Sequence, residues 1–277
     1  MTARRAITGA TRVVGVIGDP VEHSRSPAMH NAAFDALGLD WVYVAFPVHR
    51  GEGAAAVRAI PALGLAGLNV TMPHKTDAAA ACDELAQAAA ALGAVNTVVV
   101  RSDRSLLGHS TDGEGFLRAV ADEGVEVSTR RCVVLGAGGA ARAIAHALGR
   151  AGADVTVAAR NEDAAAGAAA LAPGGTAIPL ADVPIETFDV VVNATPLGMR
   201  GEPPPFDPAR LRPGQFVYDT VYPAETPLLA EARARGAGAA GGLGMLVHQG
   251  ALSFELWTGC TPSLPVMRVA AAAAEST

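Results

Sequence analysis

The chain has 277 residues, enough for one large domain or two modest ones, and half of its residues are hydrophobic, which suits a well-buried core. Its net charge is −6 and its basic residues form no long run, which argues against a nucleic-acid partner. The three cysteines follow no metal-ligand spacing, so we expect reduced, buried thiols in a cytoplasmic protein without a metal site.

The N-terminal segment and the hydrophobic windows indicate neither export nor a membrane partner. Arg4 and Arg5 suggest a twin-arginine signal, but Arg12 follows and no long apolar core is present, so we expect an untargeted N-terminus. No window offers about 20 uncharged apolar residues. The most apolar stretch, "AAVRAIPALGLAGLNVTM", is interrupted by Arg58 and Pro61.

Strand-like and helix-like segments alternate through the first 112 residues, which predicts an α/β domain with a mostly parallel sheet. Ser26 is a plausible N-cap of the first helix, with Pro27 in its first turn. The predicted strands are 12–18, 40–48, 66–72 and 94–101; the predicted helices are 26–39, 52–64 and 77–92; and 105–112 is predicted to be a loop.

The stretch "NVTMPHKTD" (69–77) stands between a strand-like and a helix-like run. Such polar clusters are most often solvated turns, and the alternative is a site at which Lys75 does chemistry.

A second unit begins near residue 113 with the helix-like segment "GEGFLRAVADEG". Residues 131–161 then alternate as strand, glycine-rich turn, helix and strand, and Gly136, Gly138 and Ala141 fill the pattern G-x-G-x-x-[GA]. In this context the pattern predicts a dinucleotide site, with the pyrophosphate at the helix N-terminus. The alternative is an ordinary strand–turn–helix junction whose glycines serve packing.

The end of the next strand favours NADP over NAD. No carboxylate stands there to bind a ribose 2′-hydroxyl, and Arg160 follows Ala159 where a 2′-phosphate would lie. The alternative for Arg160 is a solvated loop residue.

The rest of the chain completes an α/β, Rossmann-type unit. Strands are predicted at 189–195 and 215–222, with a Pro- and Gly-rich loop between them, and an amphipathic helix is predicted to start near Gly244.

Several motifs, in order, resemble those of the shikimate dehydrogenase family, which includes the quinate/shikimate dehydrogenases. They are "SRSPAMHN", "NVTMPHK", "AVNT", "GHSTD", "GAGGAARA", "NATPLGM", "YDTVYPAETPLL" and "GLGMLVHQGALSFELWTG", and they lie within residues 12–259. The resemblance implies a substrate domain, 1–112 completed by 245–277, and an NADP-binding domain, 113–244, with the active site in the cleft between them.

The resemblance also implies the roles of individual residues. Lys75 would be the catalytic lysine and Asp112 its partner, so that the ammonium stabilises and protonates the oxygen formed by hydride transfer. The implied substrate-binding residues are Ser24, Ser26, Thr71, Asn96, Tyr222 and Gln249. The cofactor-binding residues, including those predicted above, are Gly136, Gly138, Gly139, Ala140, Arg160, Asn193, Thr195, Gly242 and Met245. Tyr222 and Met245 could instead be packing residues.

The implied activity is the reversible reduction of 3-dehydroshikimate by NADPH in the aromatic amino-acid pathway, by a monomer or homodimer acting on a small molecule. Three departures from the family pattern bear on it: Ser110 replaces Asn, Ala159 replaces an Asn that contacts the phosphate side, and Pro196 replaces a common Ser. Two alternatives stay open, namely a quinate/shikimate dehydrogenase that uses NAD, and a regulator that binds shikimate or a nucleotide without turnover.

Overall fold

The computed structural model describes residues 6–222 and 225–274, which form two compact α/β units. One unit comprises the described residues up to Thr111 and from Gln249 onward, and the other runs from Asp112 to His248. Arg4 and Arg5, on which the prediction about the N-terminus depended, lie outside the described residues, as do residues 223 and 224 of the motif "YDTVYPAETPLL". Within the described ranges, no helix combines the length and apolarity that a bilayer span requires.

Twelve strands and ten α-helices are assigned within these ranges. The strands are β1 (Arg12–Gly18), β2 (Trp41–Pro47), β3 (Gly67–Val70), β4 (Glu84–Leu85), β5 (Thr97–Val100), β6 (Leu106–His109), β7 (Arg131–Leu135), β8 (Asp154–Ala159), β9 (Thr176–Pro179), β10 (Val190–Asn193), β11 (Phe216–Asp219) and β12 (Gly238–Gly241). The helices are α1 (Ser26–Ala36), α2 (Gly53–Ala59), α3 (Lys75–Ala81), α4 (Gln87–Leu92), α5 (Asp112–Asp122), α6 (Gly139–Arg150), α7 (Glu162–Ala169), α8 (Pro227–Ala234), α9 (Leu243–Thr258) and α10 (Leu264–Ala273).

The sheet of the first unit has the order β2-β1-β3-β5-β6-β4. β5 runs antiparallel to both β3 and β6, and the other pairs are parallel. The carboxyl ends of β1, β3 and β6 and the amino end of β5 therefore meet at one edge. Three polar residues are therefore brought to this edge: Thr71 directly follows β3, Asn96 directly precedes β5, and Thr111 lies two residues after the end of β6.

The sheet of the second unit is wholly parallel and has the order β12-β11-β10-β7-β8-β9. Its order reverses between β7 and β10, as in dinucleotide-binding folds, where ligands bind at the carboxyl ends of the strands at this point. Buried apolar side chains fill both faces of this sheet, among them Val134 and Val192 on one face and Val133 and Val191 on the other.

The predicted helix 77–92 is wrong as one continuous element, because it is divided into α3 and α4, and the predicted loop 105–112 contains the strand β6. Cys82 is extended and ends α3, and β4 pairs with β6 before α4 begins. The backbone of Asp83 donates to Leu106 O, and its carboxylate accepts from Leu106 N at 2.7 Å. Pairing with a strand more than 20 residues away thus overrides the helical preference of the alanines.

The first two helices are shorter than predicted. The N-cap residue of α1 is Arg25, not Ser26, because Ser26 is already the first helical residue. The hydroxyl of Ser24 accepts from Ser26 N at 3.3 Å. The helix ends at Ala36 because Gly38 adopts a left-handed φ of 64°. α2 ends at Ala59, two residues before Pro61, as expected for a segment that runs into proline.

The edge strand β2 is capped by a side chain from α1. The amide of Asn31 donates to Tyr43 O and accepts from Tyr43 N, both at 2.9 Å. The side chain therefore occupies the place of a neighbouring strand at this residue, which gives the Asn of "SPAMHN" a structural role.

Candidate active site

Lys75, the predicted catalytic residue, is the first residue of α3 and the only lysine among the 21 basic residues of the chain. Its side chain is half-buried, and its carbonyl accepts from Val95 N at 2.9 Å. The preceding residue, His74, is fully buried and donates through Nε2 to Val48 O at 2.8 Å. These contacts fix the backbone on both sides of the lysine and hold it next to the segment that carries Asn96.

Asn96 and Gln249, two predicted substrate-binding residues, come together at the sheet edge. Asn96 is buried, its Oδ1 accepts from Thr111 N at 2.8 Å, and its Nδ2 lies 3.5 Å from Gln249 Oε1. Thr111 belongs to the motif "GHSTD", in which Ser110 replaces Asn. Because Asn96 holds this segment through Thr111, the substitution at residue 110 leaves this anchor in place.

A buried hydrogen-bonded cluster behind Asn96 was not predicted from the sequence. Tyr43 donates to Asn69 Oδ1 at 2.8 Å, and Asn69 Nδ2 lies 3.0 Å from the Asn96 carbonyl and from the hydroxyls of Thr97 and Ser253. Asn69 belongs to the quoted motif "NVTMPHK", which was the only available signal. Burial raises the pKa of Tyr43 above its ordinary value, so its hydroxyl stays a donor.

The predicted carboxylate-binding serines lie at the start of α1. Ser26 is buried and its backbone N–H donates to the hydroxyl of Ser24 at 3.3 Å, while Ser24 is half-buried. Thr71 lies elsewhere on the same edge, against Gly18 at the end of β1, where an added Cβ would come within 2.5 Å of the Thr71 methyl group. The serines and Thr71 thus follow the carboxyl ends of β1 and β3, which lie at one edge of the sheet.

His30 is a buried residue without a predicted role. Its ring stacks on Tyr43 with a centroid distance of 4.4 Å, and neither ring nitrogen has a hydrogen-bond partner. Burial lowers the pKa of His30 to about 3, so the ring is neutral at physiological pH.

In the second unit, the turn after β7 has the shape that the glycine pattern predicts. Gly136 adopts a φ of 110°, and a Cβ there would lie 2.9 Å from Ala194 O, which only glycine avoids. Gly138 precedes α6 with an extended φ of −76°, and a Cβ there would meet nothing within 4 Å. Gly139 and Ala140 form the first turn of α6, whose N–H groups have no partner within the helix. This open, amide-lined cradle fits a pyrophosphate.

Arg160 follows β8 and is exposed, and Ala159 before it is buried. Asn161 caps α7, its side chain accepting from Ala164 N at 2.9 Å. Glu162 and Asp163 occupy the first turn of α7, where acidic residues favour the helix dipole. The end of β8 therefore offers a guanidinium to a 2′-phosphate and has no carboxylate of its own.

Asn193 and Thr195 lie at the end of β10, beside the Gly136 turn. Asn193 is fully buried, and its Oδ1 accepts from Thr195 N at 3.1 Å and from Thr195 Oγ1 at 2.7 Å. Its Nδ2 donates to Leu197 O and to the buried carboxylate of Asp219. Asp219 was not among the predicted site residues, although it stands in the motif "YDTVYPAETPLL".

The remaining predicted residues of this unit have different surroundings. Gly242 is buried, and a Cβ there would lie 2.1 Å from Thr220 O, so glycine is required. Met245 is nine-tenths buried in the core of the unit, and Tyr222 is half-buried. Asp112 is buried at the start of α5 and belongs to this unit, whereas Lys75 belongs to the other.

Comparisons with known proteins identify the family. A model of the shikimate dehydrogenase substrate-binding domain matches residues 16–98, and one of the shikimate 5′-dehydrogenase C-terminal domain matches residues 242–271. The shikimate dehydrogenase (NADP+) of Geobacter metallireducens is 46% identical, over 95% of this chain and 96% of the relative. The chain belongs to the shikimate dehydrogenase family.

Solved structures agree with that assignment. The shikimate 5-dehydrogenase of Thermus thermophilus in complex with NADP(H) and shikimate is 37% identical with a TM-score of 0.88, covering 95% of this chain and 99% of that one. The quinate dehydrogenase of Corynebacterium glutamicum in complex with NAD is 34% identical with a TM-score of 0.88, covering 94% and 98%. The predicted family and α/β fold class are therefore confirmed, and curated members of the family are NADP-dependent oxidoreductases.

Proposed function

We propose that this protein is an NADP-dependent shikimate dehydrogenase, which reversibly reduces 3-dehydroshikimate to shikimate in the aromatic amino-acid pathway. One observation carries the proposal. The only lysine of the chain stands at the position of the family's catalytic lysine, as the first residue of α3, and its carbonyl accepts from Val95 N next to the buried Asn96. Family membership and the NADP dependence of the curated relatives support the same activity.

Lys75 serves as the proton donor in this proposal. When NADPH is bound, it supplies the hydride that reduces the substrate ketone. Negative charge then develops on the carbonyl oxygen, and the ammonium of Lys75 stabilises that charge and protonates the oxygen. Asp112 holds the lysine charged and binds a substrate hydroxyl.

The first unit supplies most of the substrate contacts. Ser24 and Ser26 bind the carboxylate at the start of α1, whose partial positive charge favours an anion. The ring hydroxyls are bound by Thr71, Asn96 and Gln249. Tyr222 of the second unit lines the pocket of the ring.

The second unit binds the cofactor through the cradle at Gly138–Ala140 and through Arg160. Asn193 and Thr195 lie along the cofactor. Gly242 and Met245 lie near the nicotinamide. Arg160 meets the 2′-phosphate in a forked, charge-assisted geometry.

We further propose that the protein acts in the cytoplasm as a monomer or homodimer. All three cysteines lie within the described residues and are free thiols, which suits a reducing compartment.

A steady-state assay with shikimate and quinate, each with NADP+ and NAD+, tests the proposal. We expect shikimate with NADP+ to be the best pair, with a kcat/KM at least roughly tenfold above that of quinate, or about 1.4 kcal/mol of transition-state binding. Comparable values for quinate, or a preference for NAD+, would place the protein with the quinate dehydrogenases. A lack of turnover with all four pairs would favour the regulator.

A further inference from the structure

Asp219 lies at the end of β11 and is fully buried in the second unit. Its carboxylate accepts three hydrogen bonds. Oδ1 accepts from Asn193 Nδ2 at 2.9 Å and from Val221 N at 3.2 Å, and Oδ2 accepts from Thr226 Oγ1 at 2.7 Å. Burial raises the pKa of Asp219, and these donors oppose the rise. Burying a carboxylate is unfavourable in free energy unless it is hydrogen-bonded, so its hydrogen-bond partners indicate its role.

The bond to Asn193 reaches the segment that follows β10. With Nδ2 held by Asp219 and by Leu197 O, the carboxamide cannot rotate, and its Oδ1 points at Thr195. Thr195 in turn accepts from Leu197 N at 3.2 Å through its hydroxyl. One carboxylate therefore fixes the conformation of the segment 193–197.

That segment forms one wall of the turn that we propose for the pyrophosphate. A Cβ at Gly136 would lie 2.9 Å from Ala194 O and 3.3 Å from the Thr195 methyl group. A shift of residues 194 and 195 by a few tenths of an ångström would therefore alter the glycine turn as well.

We propose that Asp219 is a positioning residue for the cofactor, which acts through Asn193 to hold the segment 193–197 against the glycine turn. This inference rests on the proposed NADP dependence. It assigns to Asp219 no contact with the cofactor and no part in proton transfer.

Three variants separate positioning from simple stability. Asp219→Ala removes the acceptor of Asn193, and Asp219→Asn can keep an oxygen towards Asn193 and Val221. Thr226→Val removes the partner of the other carboxylate oxygen and the side-chain cap of α8, without a bond to Asn193. We expect Asp219→Ala and Thr226→Val both to lower Tm.

The deciding measurement is the Kd for NADPH, obtained by titration with nicotinamide fluorescence at a temperature well below the lowest Tm of the variants. We expect Asp219→Ala to raise the Kd for NADPH about tenfold, or ~1.4 kcal/mol, and Thr226→Val and Asp219→Asn to stay within about threefold of the unaltered protein. KM for NADPH should rise with Kd, while KM for shikimate changes much less.

The outcomes distinguish the two proposals. If the unaltered protein binds NADPH and folded Asp219→Ala binds it within twofold as well, the role of Asp219 is wrong and the proposed function stands. Equal losses in Asp219→Ala and Thr226→Val would assign Asp219 a general structural role, which also overturns the inference. If the unaltered protein does not bind NADPH, both proposals fail.

Discussion

Two glycines of one turn provide a matched pair of substitutions with opposite expected effects. Gly136→Ala places a methyl group at a φ of 110° and 2.9 Å from the carbonyl oxygen of Ala194. That oxygen belongs to backbone whose N–H is bonded to Leu135 O at 2.9 Å, so it has little freedom to move away. Gly138→Ala places its methyl group in open space at an extended φ that alanine adopts readily.

The expected magnitudes follow from these environments. Backbone strain at positive φ costs about 1–3 kcal/mol, and the close contact adds to it, so we expect Gly136→Ala to lose about 3 kcal/mol. For a unit of this size that corresponds to a fall in Tm of roughly 6–12 °C. In Gly138→Ala the weaker helix cap and the reduced entropy of the unfolded chain nearly cancel, within about 0.5 kcal/mol.

For cofactor binding, Gly138→Ala should be the harmful substitution, although it changes the stability little. The open space at Gly138 is where the pyrophosphate approaches the backbone, so a methyl group there should raise the Kd for NADPH at least about tenfold. Thermal unfolding and NADPH titration of both variants make the test. A Gly138→Ala protein that binds NADPH as tightly as the unaltered chain would refute the proposed cradle. An undiminished Tm in Gly136→Ala would refute the strain argument.

Three further substitutions test other parts of the molecule. Lys75→Ala should lower kcat by about 10²–10⁴-fold with little change in shikimate affinity; retention of more than about a tenth of kcat would show that Lys75 is not the proton donor. Arg160→Ala should raise KM for NADP+ roughly tenfold and leave KM for NAD+ nearly unchanged, and equal losses with both cofactors would mean that Arg160 shapes its loop instead. In the unfolded chain His30 has its usual pKa of 6.5, whereas burial lowers the pKa in the folded protein to about 3. Between these two pH values the unfolded state binds more protons, so the free energy of unfolding decreases as the pH falls. His30→Phe should therefore lose about 2 kcal/mol less than the unaltered protein between pH 7 and pH 5 in urea unfolding, and parallel losses would contradict the burial of a neutral ring.

Local signals made the nucleotide-binding half of the fold predictable. Gly136 and Gly138 stand directly between a β-branched run and a helical run, so the short-range pattern fixes both elements and the turn. The first unit was harder because β4 and β6 depend on each other across more than 20 residues. An alanine-rich segment carries no sign of such pairing, and it was therefore predicted as one continuous helix.

The site shows the same division between local and distant information. Lys75 and Asn96 could be selected from motifs that lie in continuous stretches of sequence. Asp219 also stands in a motif, but its role could not be read from it, because that role depends on a partner 26 residues earlier and on complete burial. The cluster of Tyr43 and Asn69 likewise becomes visible only when β1, β2 and β3 are known to be neighbours.

The side-chain cap that Asn31 places on β2 affects how copies of this chain can associate. An exposed edge strand is a template for strand addition, and proteins that leave one open risk aggregation. An incoming strand at Tyr43 would first have to displace two hydrogen bonds of 2.9 Å. At the opposite edge, β4 offers only two residues, too short a template to hold another chain. Self-assembly by extension of this sheet is thus discouraged at both ends, so a homodimer would have to use another surface of the chain.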